Sequence, residues 1–292
     1  MDEQIDRTII RDPAGRHSYR LYTAARKNGE GSLVGLAADQ LLAADVSSGS
    51  VAIATGFPIP PNNRPETDGP VGAAVLARAI ERLGGRPVFV VDARTEPVVS
   101  AVAASAGVEH VKTVSPAAAR TWLEGGRFAA IVTIETPGVT ADGSYRTMTG
   151  DDITAAVDPV DGLVDQAVAR AVPTIAIGDG GNEVGMGAIR SAVETHIEFG
   201  KTIACVTAVD TLVVAGVSNW GAYGIVAALS NRTGRQLLHT PIEEQRLLDV
   251  AVDTGAVDGV SGASTATVDG IGVDQHKRVV NALAAQCDRA SQ

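Results

Sequence analysis

The sequence predicts a doubly wound α/β fold, a mostly parallel sheet with helices on both faces, preceded by a helical N-terminal extension. Three observations lead there. Short β-branched runs alternate with glycine-bounded, alanine-rich stretches at helical spacing. The strand-like runs are continuously apolar, as strands covered on both faces are. The 292 residues are 45% hydrophobic but only 3% aromatic, which suits a core of small aliphatic side chains in close contact.

Taken in order, "GSLVGLAADQLLAAD" reads as helix within residues 1–48, an extra layer packed on a single main domain of residues 49–292. "SVAIATGF" (50–57) is a strand, "GPVGAAVLARAIERLGG" (69–85) a helix with a glycine stop, "RPVFVVD" (86–92) a strand and "EPVVSAVAASAG" (96–107) a helix. "EHVKTV" (109–114) reads as strand before a helix through Trp122, and "FAAIVTIE" (128–135), "VPTIAIG" (172–178), "TIACV" (202–206) and "TLVVAGV" (211–217) complete the set. "PIEEQRLLDVAVDTG" and "DQHKRVVNALAAQC" are helical by spacing.

A formal charge of −10 with no basic run argues against a nucleic-acid or anionic-membrane partner. Cys205 and Cys287 are too few for a disulfide framework and lack CxxC spacing. The acidic start "MDEQIDRTII" has no apolar h-region, and no window approaches a membrane span. A cytoplasmic protein is expected, and a surface rich in small residues is compatible with a homodimer.

Ligands of open α/β sheets sit beyond the carboxyl ends of the strands, and three such ends carry unusual loops. The first, "TGFPIPPNNRPETDGP" (55–70), is long and proline-rich. Thr67 or Asp68 can cap the helix that starts at Pro70, so Asp68 reads equally as a cap and as a site residue. The second is "AIGDGGNEVGMG" (176–187), whose Gly178, Gly180 and Gly181 permit close backbone approach beside Asp179 and Glu183. Gly180 and Gly185 have Walker A spacing, but Met186-Gly187 replaces the Lys-Ser/Thr pair. Glu183 breaks the dinucleotide pattern by taking its third glycine position. In the third, "AGVSNWGAYGIVAAL" (215–229), Ser218 or Asn219 can cap a helix near Trp220. Glycine-rich helix starts offer N–H groups to anions, which suits a small substrate with several carboxylates. Asp68, Glu135, Asp179, Glu183 and Asp210 would repel such a ligand unless a cation lay between them, and oxygen-rich sites of this kind suit Mg²⁺ or Mn²⁺. Separate capping or solvated acids are the plainer alternative. No HExxH or GxSxG occurs.

The segments "ATGFPIPP", "ETDGP.GAA", "DPVDGL", "GDGGNEVGMG", "AGVSNWGAY" and "VDGIGVDQHKRVV" resemble the D-glutamate cyclase family, specifically the domain at the C-terminus of the animal enzymes, over about residues 50–285. The resemblance implies loss of water from D-glutamate, whose amine closes on its side-chain carboxyl to give 5-oxo-D-proline, with a divalent metal as helper. Carried onto this chain, Asp68, Asp179 and Glu183 would bind metal or the substrate ammonium. Glu135 or His276 would transfer protons beside Asp179 and Glu183. Thr55, Gly56 and Gly69 would line the substrate with the glycine-loop amides at Gly180, Gly181 and Asn182 and those at Ser218 and Asn219.

One segment departs from the family pattern. Thr136 and Val139 stand where arginines are expected in "ETPGVTADGSYRTM" (135–148), which removes a natural carboxylate clamp and leaves Arg146 to compensate. The altered segment keeps two alternatives open: a non-catalytic small-carboxylate-binding protein, and a lactam hydrolase acting on a related substrate. Retention of Glu135, Asp179, Glu183 and His276 speaks against a sensor. The upstream domain of the animal enzymes has no counterpart in these residues, so the chain is expected to act alone or with a separate partner.

Overall fold

The computed structural model describes residues 1–288 other than 14, 28, 30, 45 and 48, with residue 288 in its backbone only. Six parallel strands form the central sheet: β1 (Ser50–Thr55), β2 (Arg86–Val90), β3 (Thr113–Val114), β4 (Phe128–Ile134), β5 (Thr174–Gly178) and β6 (Thr211–Val214). Their spatial order is β3-β2-β1-β4-β5-β6, the doubly wound arrangement in which connections leave β1 and β4 in opposite directions and open a crevice between them. In register, Ile53 of β1 lies between Phe89 of β2 and Val132 of β4.

Among the described residues twelve α-helices surround the sheet: α1 (Asp2–Ile9), α2 (Ser18–Arg26), α3 (Leu33–Ala43), α4 (Pro70–Arg82), α5 (Glu96–Ala106), α6 (Pro116–Glu124), α7 (Asp161–Ala169), α8 (Arg190–His196), α9 (Gly200–Ile203), α10 (Ser218–Thr233), α11 (Pro241–Asp253) and α12 (Val273–Asp288). Alternate side chains of each strand feed different layers. Val51, Ile53 and Phe89 join a large core with α1, α3, α4, α5, α10, α11 and α12. Ala52, Ala54, Val88 and Val90 face α6 and α7. Alanines on that side let the thin layer approach closely. Among the described residues no helix is long and apolar enough to cross a membrane.

The doubly wound sheet agrees with the sequence reading, and the differences are local. "TIACV" is not a strand: Gly200–Ile203 forms a short helix, and Cys205 N–H donates to the Gly181 carbonyl at 3.1 Å. A β-like composition yields there to contacts with the glycine loop. "EHVKTV" contributes only Thr113–Val114, at the edge of the sheet.

The helices of residues 2–43 place Ile5, Ile9, Leu21, Val34 and Leu41 in the same core as the sheet. Gly216, in the loop between β6 and α10, makes this docking close. Its N–H donates to the Ile9 carbonyl at 2.8 Å, and a Cβ there would lie 1.8 Å from the Arg11 carbonyl oxygen. Gly216→Ala must therefore push the α1–α2 segment away. We expect a loss of about 1–3 kcal/mol in urea unfolding and early tryptic cleavage at Arg11 or Arg16; unchanged stability and cleavage would contradict this docking.

Candidate active site

Beyond the carboxyl ends of β1 and β6, two helices cap one another. Asp68 touches α4, the helix that follows it, only through Gly69 N–H, which its Oδ1 shares with Asn219 Oδ1 at 3.0 Å. Its carboxylate accepts from Ser218 N–H at 2.8 Å and Asn219 N–H at 2.7 Å, at the start of α10. Asn219 Oδ1 in turn accepts from Gly69 N–H at 3.0 Å and Gly72 N–H at 2.7 Å, at the start of α4. Each helix start thus meets a side chain from the start of the other, Asp68 just before α4 and Asn219 in the first turn of α10, satisfying donors the helices cannot satisfy themselves. Gly69 is needed here: its φ is +96°, and a Cβ would lie 2.3 Å from Thr55 Oγ1 and 3.0 Å from Glu135 Cβ.

After β5 the glycine loop wraps around a carboxylate of its own. Glu183 Oε1 accepts from the Asp179 and Gly180 amides at 2.9 and 2.7 Å, and Oε2 accepts from the Gly181 amide at 2.6 Å. The expectation that the Gly180–Gly181 and Ser218–Asn219 amides bind substrate is corrected by these bonds. Both sets of amides are engaged by protein carboxylates, Glu183 and Asp68. Gly180 and Gly181 are required by packing as well, since a Cβ would lie 2.3 Å from Met148 Sδ and 2.5 Å from Val193 Cγ1 respectively.

Two further acids arrive from the loops after β1 and α11. Thr67 N–H donates to the Val257 carbonyl at 2.9 Å and Val257 N–H to that of Pro65 at 3.0 Å, zipping the loops together. Asp258 accepts from the amides of Val260, Ser261 and Gly270 at 3.1, 2.7 and 2.7 Å, and so folds the turn that presents Asp269. Glu66 and Asp269 both line the cleft. Glu135, just past β4, has a left-handed backbone (φ 44°), an uncommon state for a residue with a side chain and one found at functional sites. Ser218 Oγ donates to its Oε2 at 2.6 Å.

Six carboxyl side chains therefore converge: Glu66, Asp68, Glu135, Asp179, Glu183 and Asp269, each no more than 6% exposed. One oxygen from each of Asp68, Asp179 and Asp269 lies within 4.8 Å of the other two, and the same holds for Glu135, Asp179 and Glu183. Asp179 belongs to both groups. Its Oδ2, Asp269 Oδ2 and Glu66 Oε1 are buried without a partner among the described residues. Burial pushes the Glu66, Glu135 and Asp179 carboxyls well above the usual range, with neighbouring acids adding to it. Asp68 rises to about 8, through burial and Asp269, against the opposing pull of the Asn219 and Ser218 amides. Partnerless buried oxygens on hard carboxylate donors fit a divalent cation such as Mg²⁺ or Mn²⁺, which Asp68, Asp179 and Asp269 would hold.

One cation of the protein already reaches this cluster. Arg16, between α1 and α2, ion-pairs with Asp179 Oδ1 at 2.8 Å and Asp269 Oδ1 at 2.5 Å. Burial opposes its charge, but Asp179 and Asp269 outweigh that, and its pKa is raised. Sequence reasoning missed Arg16, Glu66 and Asp269. The two acids stand inside quoted motifs, "ETDGP" and "VDGIGVDQH", where their company was a usable signal. A lone arginine in a loop gives none.

The remaining expectations divide. Asn182 lines the cleft, a space of about 360 Å³, and its Nδ2 donates to the Arg146 carbonyl at 2.9 Å. Arg146 does not compensate for Thr136 and Val139: its guanidinium turns to Ser144 Oγ at 2.8 Å and to Asp142 and Asp152 at 3.6 Å. Thr136 Oγ1 instead reaches the Ala54 carbonyl at 3.3 Å, and Val139 N–H donates to Asp161 at 3.0 Å. His276 is not placed to shuttle protons. Its Nδ1 accepts from Trp220 Nε1 at 2.8 Å, which leaves Nε2–H to donate to the Ile271 carbonyl at 3.2 Å. Burial also lowers its pKa, so the ring is neutral with both nitrogens engaged. Thr55 and Gly56 line a separate space of about 20 Å³ beside Asp92 and Thr95. Asp210 lies apart from the cluster, accepting from the Thr174 amide and hydroxyl at 2.9 and 2.7 Å.

A carboxyl group whose pKa rises on folding stabilises the fold while protonated. That contribution is complete below about pH 4 and is lost as pH climbs through the folded value, which for Asp68 is about 8. Metal-free protein should therefore lose stability between pH 4 and pH 8. At pH 8, Mn²⁺ at a hundred times its dissociation constant should restore about 2.7 kcal/mol, and Asp179→Asn should abolish that gain. Denaturant midpoints with Mn²⁺ and with EDTA test this; a midpoint indifferent to both pH and Mn²⁺ would contradict it.

Comparison with known proteins agrees with the motifs. The human protein named D-glutamate cyclase, mitochondrial, is 34% identical over 283 residues, covering 81% of this chain and 46% of its own length. The chain thus spans about half of that relative. Among solved structures, a manganese-bound exonuclease RecJ aligns with a TM-score of 0.41 at 12% identity, over 88% of this chain and 65% of its own. A dihydrodipicolinate synthase from Rhodopseudomonas palustris aligns with a TM-score of 0.21 at 14% identity, over 84% and 78%. Both structural likenesses are too slight to bear on function. The sequence model of the family described as D-glutamate cyclase-like, C-terminal, matches residues 5–284, and the chain belongs to that family.

Proposed function

We propose that this chain is a lyase that closes D-glutamate, or a closely related amino dicarboxylate, to its lactam with loss of water, assisted by Mn²⁺ or Mg²⁺. The observation that carries this reading is the placing of Glu135, a buried carboxyl with a raised pKa, beside Asp179, the acid that also belongs to the Asp68, Asp179 and Asp269 group, in a member of this family.

The reaction joins the substrate amine to its own side-chain carboxyl carbon and expels one carboxyl oxygen as water. A carboxylate is a poor electrophile, so the site must fold the substrate, neutralise the attacked group and move two protons. When bound, a divalent ion polarises the attacked carboxyl group. Glu135, protonated and oriented by Ser218, delivers a proton to the departing oxygen. Asp179 accepts the first of the two protons that the ammonium sheds and passes it to the departing oxygen, and the Glu135 carboxylate takes up the second, so that the oxygen leaves with two protons as water and both acids are restored.

The test is NMR of the purified protein with D-glutamate and, separately, L-glutamate, each with Mn²⁺ or Mg²⁺ and again with EDTA. We expect 5-oxoproline from the D-isomer in the presence of metal only. Glu135→Gln should slow turnover about 10²–10⁴-fold while still binding substrate. Substrate binding without product in the wild-type protein would instead favour a carboxylate-binding protein.

A further inference from the structure

We propose that Arg16 is a movable cation: the counter-ion of Asp179 and Asp269 in the metal-free protein, and the residue that takes a substrate carboxylate once a divalent ion has replaced it there. The inference rests on the amino-dicarboxylate reading of the site and deepens it by naming the carboxylate clamp.

Three observations converge on Arg16. Its Nη1 and Nη2 engage Asp179 and Asp269, two of the three carboxylates suited to a divalent ion. The guanidinium and an ion there compete for the same charge. Of the N–H groups that sequence assigned to a substrate carboxylate, those of Gly180, Gly181, Ser218 and Asn219 are engaged by Glu183 and Asp68. Arg16 is the one basic side chain among the described residues lining the cleft, and so the one there whose charge matches an anion. A guanidinium carries five N–H donors in a fork that matches a carboxylate, and the two ion pairs use only two of them. Finally, Arg16 sits outside any helix, in the segment between α1 and α2. Its amide is tethered to Asp12 Oδ1 at 2.8 Å, as Ser18 N–H is to Oδ2 at 3.3 Å. The turn holds the residue at the cleft while the 16% exposed side chain exchanges partners without unwinding an element.

The account predicts effects of opposite sign from one substitution. Calorimetric titration would measure Mn²⁺ binding to the wild type, Arg16→Ala and Arg16→Lys, then binding of glutarate and butyrate to the Mn²⁺-loaded proteins. Glutarate has two carboxylates and no amine, so no turnover intervenes, and butyrate lacks one carboxylate. Arg16→Ala should bind Mn²⁺ about 10-fold more tightly, having lost the competitor, and glutarate about 30-fold more weakly, with butyrate unchanged. Arg16→Lys should keep the wild-type affinity for Mn²⁺ and lose less for glutarate. If Arg16→Ala weakens Mn²⁺, or weakens glutarate and butyrate alike, the residue merely supports the cluster and the proposal is overturned. If the wild type cyclises D-glutamate while Arg16→Ala binds glutarate normally, only the clamp is overturned. If the wild type binds no glutarate and cyclises no D-glutamate, the reading of the site fails and takes the clamp with it.

Discussion

The reciprocal cap between Asp68 and Asn219 is the constraint on which the rest of this site depends. Two helix starts, each with unsatisfied N–H groups, are brought so close that each uses a side chain from the start of the other. Asp68 is thereby locked at the crevice with its carboxylate facing buried neighbours. Glu183 repeats the device on a smaller scale, pinned by three consecutive amides of the glycine loop. Backbone dipoles that elsewhere attract anionic ligands are here spent on assembling acids. The result is a preorganised concentration of negative charge at the centre of a protein that otherwise buries alanine and valine.

Such a concentration is unstable by itself. Burial raises the pKa of four of these groups and each acid adds to the burden of its neighbours. A single arginine from outside the sheet compensates only two of them directly. That imbalance gives the site its chemistry. The partnerless oxygens of Asp179 and Asp269 suit a cation, and in the proposed reaction the raised pKa of Glu135 fits it to donate a proton.

The sheet and most helices were legible because apolar runs and alanine-rich spacing report burial directly. Asp68, Glu135, Asp179 and Glu183 were legible because they stand at strand ends in glycine-rich loops. Their partners were not. A capping residue in sequence is assigned to the next helix, and nothing local in "TDGP" or "VSNWG" shows that the caps are crossed. The amides of "GDGGNE" look free until Glu183 is seen folded back on them. His276 shares a motif with Asp269, yet its ring is held between Trp220 and the Ile271 carbonyl, a tertiary fact with no sequence signature. Arg16 lies more than 160 positions from Asp179, and tertiary docking, including the close approach of Arg11 to Gly216, carries its segment to the cleft. "TIACV" misled because β-branched composition describes burial as well as strand.

The central claim is that these buried acids form a divalent-cation site organised on Asp179. Anomalous diffraction at the manganese edge, from crystals of the full chain grown with Mn²⁺, tests it most directly. The account predicts a peak bonded to Asp68, Asp179 and Asp269. A fully ordered cleft with no peak there, or Mn²⁺ bound only at surface acids, would contradict it.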